Sequence, residues 1–165
     1  MTRSALAAEL AKAMERANSW RWNDAEMKNA EASPSIQKVK DRLAKHPVVQ
    51  FEADGSRITV YPSDTSGFEV SLLVSDPGYS VFFDGWHENF SCEPEALDCL
   101  AFGLSQACRL RVEYRGKTPY RWTLEAFENG QWRTDSTVGL LVFPYWRRRR
   151  VEYRQNSIIP VTPEP

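Results

Sequence analysis

The chain has 165 residues, 42% of them hydrophobic and 26% charged, with a net charge of −1 and a pI near 6.2. A chain of this size buries about two-thirds of its unfolded surface, so one ordinary domain forms without a structural metal or disulfide framework. The near-neutral charge argues against a binder driven by bulk positive charge, although it hides an acidic middle. Residues 1–50 carry nine Lys/Arg against six Asp/Glu, residues 51–100 one against ten, and residues 101–165 eleven against six.

In the first segment Leu6, Leu10 and Met14 recur at helical spacing among alanines, glutamates and lysines. Glu9, Lys12, Glu15 and Arg16 interrupt the apolar residues, so this is neither a secretory signal nor a transit peptide. Asn23 with Glu26 makes a capping box for a second short helix to about Ala32. Ser33-Pro34 then reads as N-cap and first residue of a third, with Ile36, Val39 and Leu43 on one face before His46-Pro47. Helices over 4–46 are therefore expected to pack on the same domain as the core at 47–157. Between the first two, Trp20-Arg21-Trp22 is expected to pack, with base stacking the alternative.

After Pro47 the period falls to two. Val48–Glu52 and Arg57–Tyr61 flank Asp54-Gly55, read as a tight turn with positive φ. Phe68, Val70, Leu72 and Val74 form the buried face of a third strand, and Val81 and Phe83 that of a fourth, after the turn Asp76-Pro77-Gly78. A connector, Asp84-Gly85-Trp86-His87-Glu88-Asn89, leads to a helix over 94–106 with Leu97, Leu100, Ala101 and Leu104 on its inner face. Strands resume at Cys108, with Leu110, Val112 and Tyr114 inward. Tyr120–Glu128 turns back at Asn129-Gly130, setting Phe127 opposite Trp132. Val138–Phe143 and the arginine-rich stretch from Arg147 complete the set, and Ile158–Pro165 is an extended or disordered tail.

The order is helices, ββββ, α, ββββ. Turns this short join antiparallel neighbours, so the fold predicted is α+β, a largely antiparallel twisted sheet with the 94–106 helix on one face. The longest apolar run, Gly139–Trp146, is too short to cross a bilayer, so no membrane is expected. Cys92, Cys99 and Cys108 are odd in number and wrongly spaced for a zinc knuckle or disulfide set, and read as reduced thiols of a cytoplasmic protein. Compactness and the lack of targeting suggest a bacterial source.

Chemistry-bearing motifs are few. Asp84, His87 and Glu88 hold the one cluster suited to acid/base or metal chemistry. The other histidine, His46, is remote, and a zinc site usually wants three protein ligands. No metal site is therefore assigned. Gly103-Leu104-Ser105 lacks the second glycine and the preceding strand of a nucleophile elbow. With no phosphate loop, CxxC pair or dinucleotide fingerprint, no cofactor is expected.

The stretch Arg109–Arg115 nearly repeats at Arg148–Arg154, the sole mismatch setting Arg149 where the inward Leu110 stands. Alternation places Arg109, Arg111, Glu113 and Arg115 on one face of their strand, and Arg148, Arg150, Glu152 and Arg154 on one face of theirs. The expectation is a two-strand arginine face, with Trp146 beside Arg148 and Arg150. Charges ~7 Å apart repel by roughly 0.6 kcal/mol in water, so something acidic should lie over them. The leading reading is a binding protein without catalysis, meeting a protein partner or a second copy through Arg109, Arg111, Arg115, Trp146, Arg148, Arg150 and Arg154 or through the N-terminal helices. The alternatives are an enzyme at Asp84, His87 and Glu88, and nucleic-acid binding by the arginine face.

Overall fold

The computed structural model describes residues 32–158. The predicted helix at Leu6–Met14, the capping box at Asn23 and the Trp20-Arg21-Trp22 stretch lie outside the described residues, as does the tail beyond Ile158. Helix α1 spans Pro34–Leu43, entered through Ser33 with Pro34 in the first turn, and buries Ser35, Ile36, Val39 and Leu43. Single turns continue it, His46 N–H donating to the Leu43 carbonyl at 2.8 Å, as far as Pro47.

The fold is α+β and its strands pair antiparallel, as the short turns predict. Among the described residues nine strands form two sheets, where one sheet of eight was expected. Strands β1 (Phe51–Ala53), β2 (Arg57–Val60), β3 (Val70–Ser75), β4 (Gly78–Phe83) and β5 (Trp86–Phe90) follow one another in a five-stranded meander. Helix α2 (Glu93–Gly103) leads to β6 (Cys108–Arg115), β7 (Thr118–Glu128), β8 (Gln131–Gly139) and β9 (Arg149–Arg154), arranged β8-β7-β6-β9. Period-two alternation tells which face of a strand is buried but not which strand it pairs with, so the split into two sheets has no local signature.

The ninth strand is β5, in the stretch read as a connector. Asp84-Gly85 is a two-residue turn, with Phe83 opposite Trp86 and Asp84 at φ 52°. As an edge strand, β5 buries Trp86, half-buries Phe90 and leaves His87, Glu88 and Asn89 exposed, a polar run that disguises it. Conversely, Val138–Phe143 is not a strand: β8 runs unbroken to Gly139 and the chain then leaves the sheet. The first hairpin is shorter than expected, Val48 being exposed. Gly55 does not supply positive φ there. The Asp54 carboxylate instead closes the turn, accepting from the Ser56 and Arg57 N–H groups at 2.8 and 2.7 Å. At Asn129-Gly130 the prediction holds, both residues having positive φ (51° and 77°), with Phe127 and Trp132 paired at 5.1 Å between ring centroids.

One hydrophobic cluster joins α1, the first sheet, α2 and the inner face of the second sheet, including Ile36, Ile58, Leu72, Phe83, Leu100, Leu110 and Leu124. Phe83 stacks on Trp86 at 4.8 Å, and a pair of this kind adds about 1 kcal/mol beyond its buried area. Helix α2 turns Ala96, Leu100 and Gly103 inward, with Leu104 buried just past its end, while Ala101, predicted inward, is exposed. The reason is close approach: a β-carbon on Gly103 would overlap the Phe83 ring. Ala96 and Gly103 thus face the sheet beside Leu100 and Leu104 of the predicted stripe, with Leu97 packed against the same core. Ile158 remains tied to this body, its N–H donating to the Leu104 carbonyl at 3.1 Å.

Candidate binding surface on the second sheet

Pairing within the second sheet decides where the arginines lie. Strand β9 sets Arg149 opposite Arg115, Val151 opposite Glu113 and Tyr153 opposite Arg111. Arg150 falls opposite Tyr114, Glu152 opposite Val112 and Arg154 opposite Leu110. Directly opposed residues share a face. The expected two-strand arginine face is thus corrected: Arg149, Val151 and Tyr153 join Arg109, Arg111 and Arg115, while Arg150 and Arg154 take the other face. Residues that match in the repeat differ by an odd number of positions, whereas the register pairs odd-numbered residues with odd-numbered ones.

The outer face carries Arg109, Arg111, Arg115, Arg121 and Arg149 around two glutamates, and three arginines share Glu113. This glutamate is only 1% exposed, accepting from the Tyr120 hydroxyl at 2.7 Å and lying 2.9 Å from Arg149 Nη2. Arg111 and Arg121 approach it at 3.7 and 3.9 Å. Burial pushes the Glu113 carboxyl up, but the Tyr120 hydrogen bond and Arg149, Arg121 and Arg111 outweigh this and hold its pKa below the ordinary value. Glu125 takes Arg109 Nε at 2.6 Å and Arg111 Nη1 at 3.3 Å. The Arg109 guanidinium is also clasped between the rings of Trp132 and Tyr153, 4.3 and 4.4 Å from their centroids. Most of this platform is therefore neutralised from within.

On the opposite face Arg150 lies over the Tyr114 ring at 4.2 Å and pairs with Glu152, and Arg154 pairs with Asp84 and reaches the Tyr114 hydroxyl at 2.8 Å. Arg147 and Arg148 have no carboxylate within salt-bridge reach among the described residues.

The link from β8 to β9 crosses from one edge of the sheet to the other. Phe143 anchors it by stacking on Tyr120 at 4.3 Å. Around that anchor Leu141 is 98% exposed, Val142 90%, Tyr145 71% and Trp146 73%. Trp146, predicted to share a face with Arg148 and Arg150, instead belongs to this loop, its ring edge-on to Tyr145. Sequence reasoning missed Leu141, Val142 and Tyr145, because an apolar run with a β-branched residue looks the same in a buried strand and an exposed loop.

The candidate acid/base residues do not converge. His87 and Glu88 are successive residues of β5 and point to opposite faces, His87 stacked on Phe82 at 5.9 Å between centroids. Asp84 occupies the preceding turn and is engaged by Arg154. Among the described residues no group of three or more His, Cys, Asp or Glu side chains gathers as a metal site. A cavity of about 620 Å³ lies elsewhere, lined by Asp64, Gln106, Phe127, Trp132 and Gln155 among others. Ser105 closes a turn, its hydroxyl donating to the Phe102 carbonyl at 2.8 Å. All three cysteines are free, and no described helix is long and apolar enough to cross a membrane.

Comparison with protein-family models, curated proteins and solved structures finds no match to this chain.

Proposed function

We propose that this chain is a binding protein, acting without catalysis, that meets another protein through the β8–β9 loop and the arginines that follow it. The observation carrying this is the exposure of Leu141, Val142, Tyr145 and Trp146 on one connection. Each large apolar side chain left in water forgoes about 1.5–3 kcal/mol of burial, and such patches mark contact sites. Trp, Tyr and Arg, the residues clustered here, most often dominate the energy of protein interfaces. Nucleic acid fits less well, since Glu113 and Glu125 engage most of the outer arginines and Arg109 occupies the faces of Trp132 and Tyr153 that bases would need. The free thiols favour a reducing compartment, and we place the interaction in the cytoplasm.

Photo-crosslinking tests this. A photoreactive amino acid in place of Trp146, in the cells that make the protein, gives a discrete protein adduct that disappears when Leu141 and Val142 are changed to Ser. No adduct, or an equal adduct from exposed Asp98 on α2, rejects the reading.

A further inference from the structure

The exposed loop runs directly into β9, which has a second property suited to binding. Among the described strands β9 pairs only with β6, so its other long side is an edge of the described sheet. The Gly116 N–H donates to the Arg148 carbonyl at 2.9 Å, which fixes the phase of the ladder. Backbone groups of Arg148, Arg150, Glu152 and Arg154 turn toward β6, and those of Arg149, Val151 and Tyr153 turn outward. At the next outward position the Gln155 N–H is taken by the Ser66 carbonyl at 2.9 Å. Three alternate residues thus present N–H and C=O groups with no backbone partner among the described residues.

The other edges are less open. Strand β1 has three residues. Strand β8 carries a bulge, since Leu124 faces Ser136 and Glu125 faces Thr134, leaving Asp135 unmatched. Strand β5 is held against β8 by a 3.0 Å hydrogen bond from Trp86 Nε1 to Ser136 Oγ.

We propose that β9 receives an extended acidic segment of the partner protein as a fifth strand of the second sheet. This rests on the protein-binding reading and specifies its mode and the partner's chemistry. Main-chain bonds to an exposed edge supply affinity and alternate side chains supply selectivity. Arg147 and Arg148, which no carboxylate engages among the described residues, stand immediately before β9, so the half of the incoming strand that meets them, its C-terminal half in antiparallel pairing, is acidic. Val151 and Tyr153, both exposed, line the other half, which is β-branched or aromatic. In a second copy paired antiparallel about Val151, Arg147 would meet Gln155 and Arg148 would meet Arg154, so neither unpaired arginine finds a carboxylate. Nucleic acid lacks the N–H and C=O ladder this edge requires.

The test uses the full chain and a fluorescein-labelled peptide of about eight residues, alternating Val with Thr in its first half and acidic in its second, the order that antiparallel pairing to β9 requires. The expected results are saturable binding and slowed hydrogen exchange at the Arg149, Val151 and Tyr153 amides, with little change at Arg150 and Glu152. Val151→Pro removes an outward N–H and no N–H of the β6 ladder, and is expected to weaken binding about tenfold with the near-UV spectrum retained. If that variant misfolds, the unaltered protein with a peptide N-methylated at alternate residues shows the same loss. The proposal is overturned by no saturable binding, by indifference to both Val151→Pro and N-methylation, or by protection of the same amides through dimerisation without peptide. A Trp146 crosslink that survives Val151→Pro rejects strand addition and leaves the protein-binding reading standing. A crosslink absent from the unaltered protein rejects that reading itself.

Discussion

Arg149 of β9 reaches across the strand boundary to Glu113 of β6, its Nη2 2.9 Å from a carboxylate oxygen that also accepts the Tyr120 hydroxyl. Removing that acceptor leaves three arginines around an uncharged group. Glu113→Gln is expected to destabilise the fold by about 2 kcal/mol near neutral pH, and Tyr120→Phe by about 1.5 kcal/mol. The folded pKa of Glu113 lies below its ordinary 4.5, so its contribution is fully present above that value and lost as pH falls through the lowered one. Urea titrations from about pH 7 down to about pH 3 should show the gap between wild type and Glu113→Gln closing only at the acid end. A gap independent of pH contradicts the assignment.

Gly85 lies flat against Trp122, and a β-carbon there would penetrate the indole ring. Gly85→Ala should cost about 2–3 kcal/mol, because a packed ring cannot retreat without opening the core. At Gly130 nothing lies within 4 Å of the same added atom, and only the φ of 77° opposes it. Gly130→Ala should cost about 1 kcal/mol. Thermal melts of the two variants check the order, and equal losses would mean the Trp122 contact is not as described.

Burial, with Glu88 and Asp135 adding to it, pushes the Cys99 thiol up to about 12, and burial raises the Cys108 thiol as well. Neither should be appreciably a thiolate at about pH 8. Iodoacetamide is expected to label these two only when the fold opens, with rates that rise in step with added urea. Rapid native labelling of Cys99, read by mass spectrometry, would contradict this.

Leu141 and Val142 make so little contact with the body that replacing both with Ser should leave stability unchanged within about 0.5 kcal/mol. A clear fall in the denaturation midpoint would show that the loop serves the core and not a partner.

Much of the architecture was legible. Ser33-Pro34 announced α1, alternation gave the buried faces of β3, β4 and β6, and Asn129-Gly130 gave the β7–β8 turn. What escaped was set by partners distant in sequence. His87-Glu88-Asn89 hid an edge strand because only its neighbour β4 makes it one. The face taken by Ala101 depended on how closely Gly103 meets Phe83. The candidate surface was half legible: the repeat identified both arginine strands, but only their mutual register reveals that Arg149, the mismatched residue, belongs to the platform while Arg150 and Arg154 do not. No local pattern distinguishes the exposed Leu141-Val142 from a buried strand.

Asn156 is buried, and its amide oxygen accepts the Phe68 N–H at 3.1 Å while its amide nitrogen donates to the carbonyls of Phe68 and Gly103 at 3.0 and 2.9 Å. Those backbone groups are made long before the residue that satisfies them, which gives the domain a direction in time. A nascent chain halted anywhere short of Asn156 holds the entrance to β3 and the end of α2 unlatched, with their backbone groups left to water and a core open at one seam. During synthesis the seam between the entrance to β3 and the end of α2 therefore closes only once Asn156 has been made.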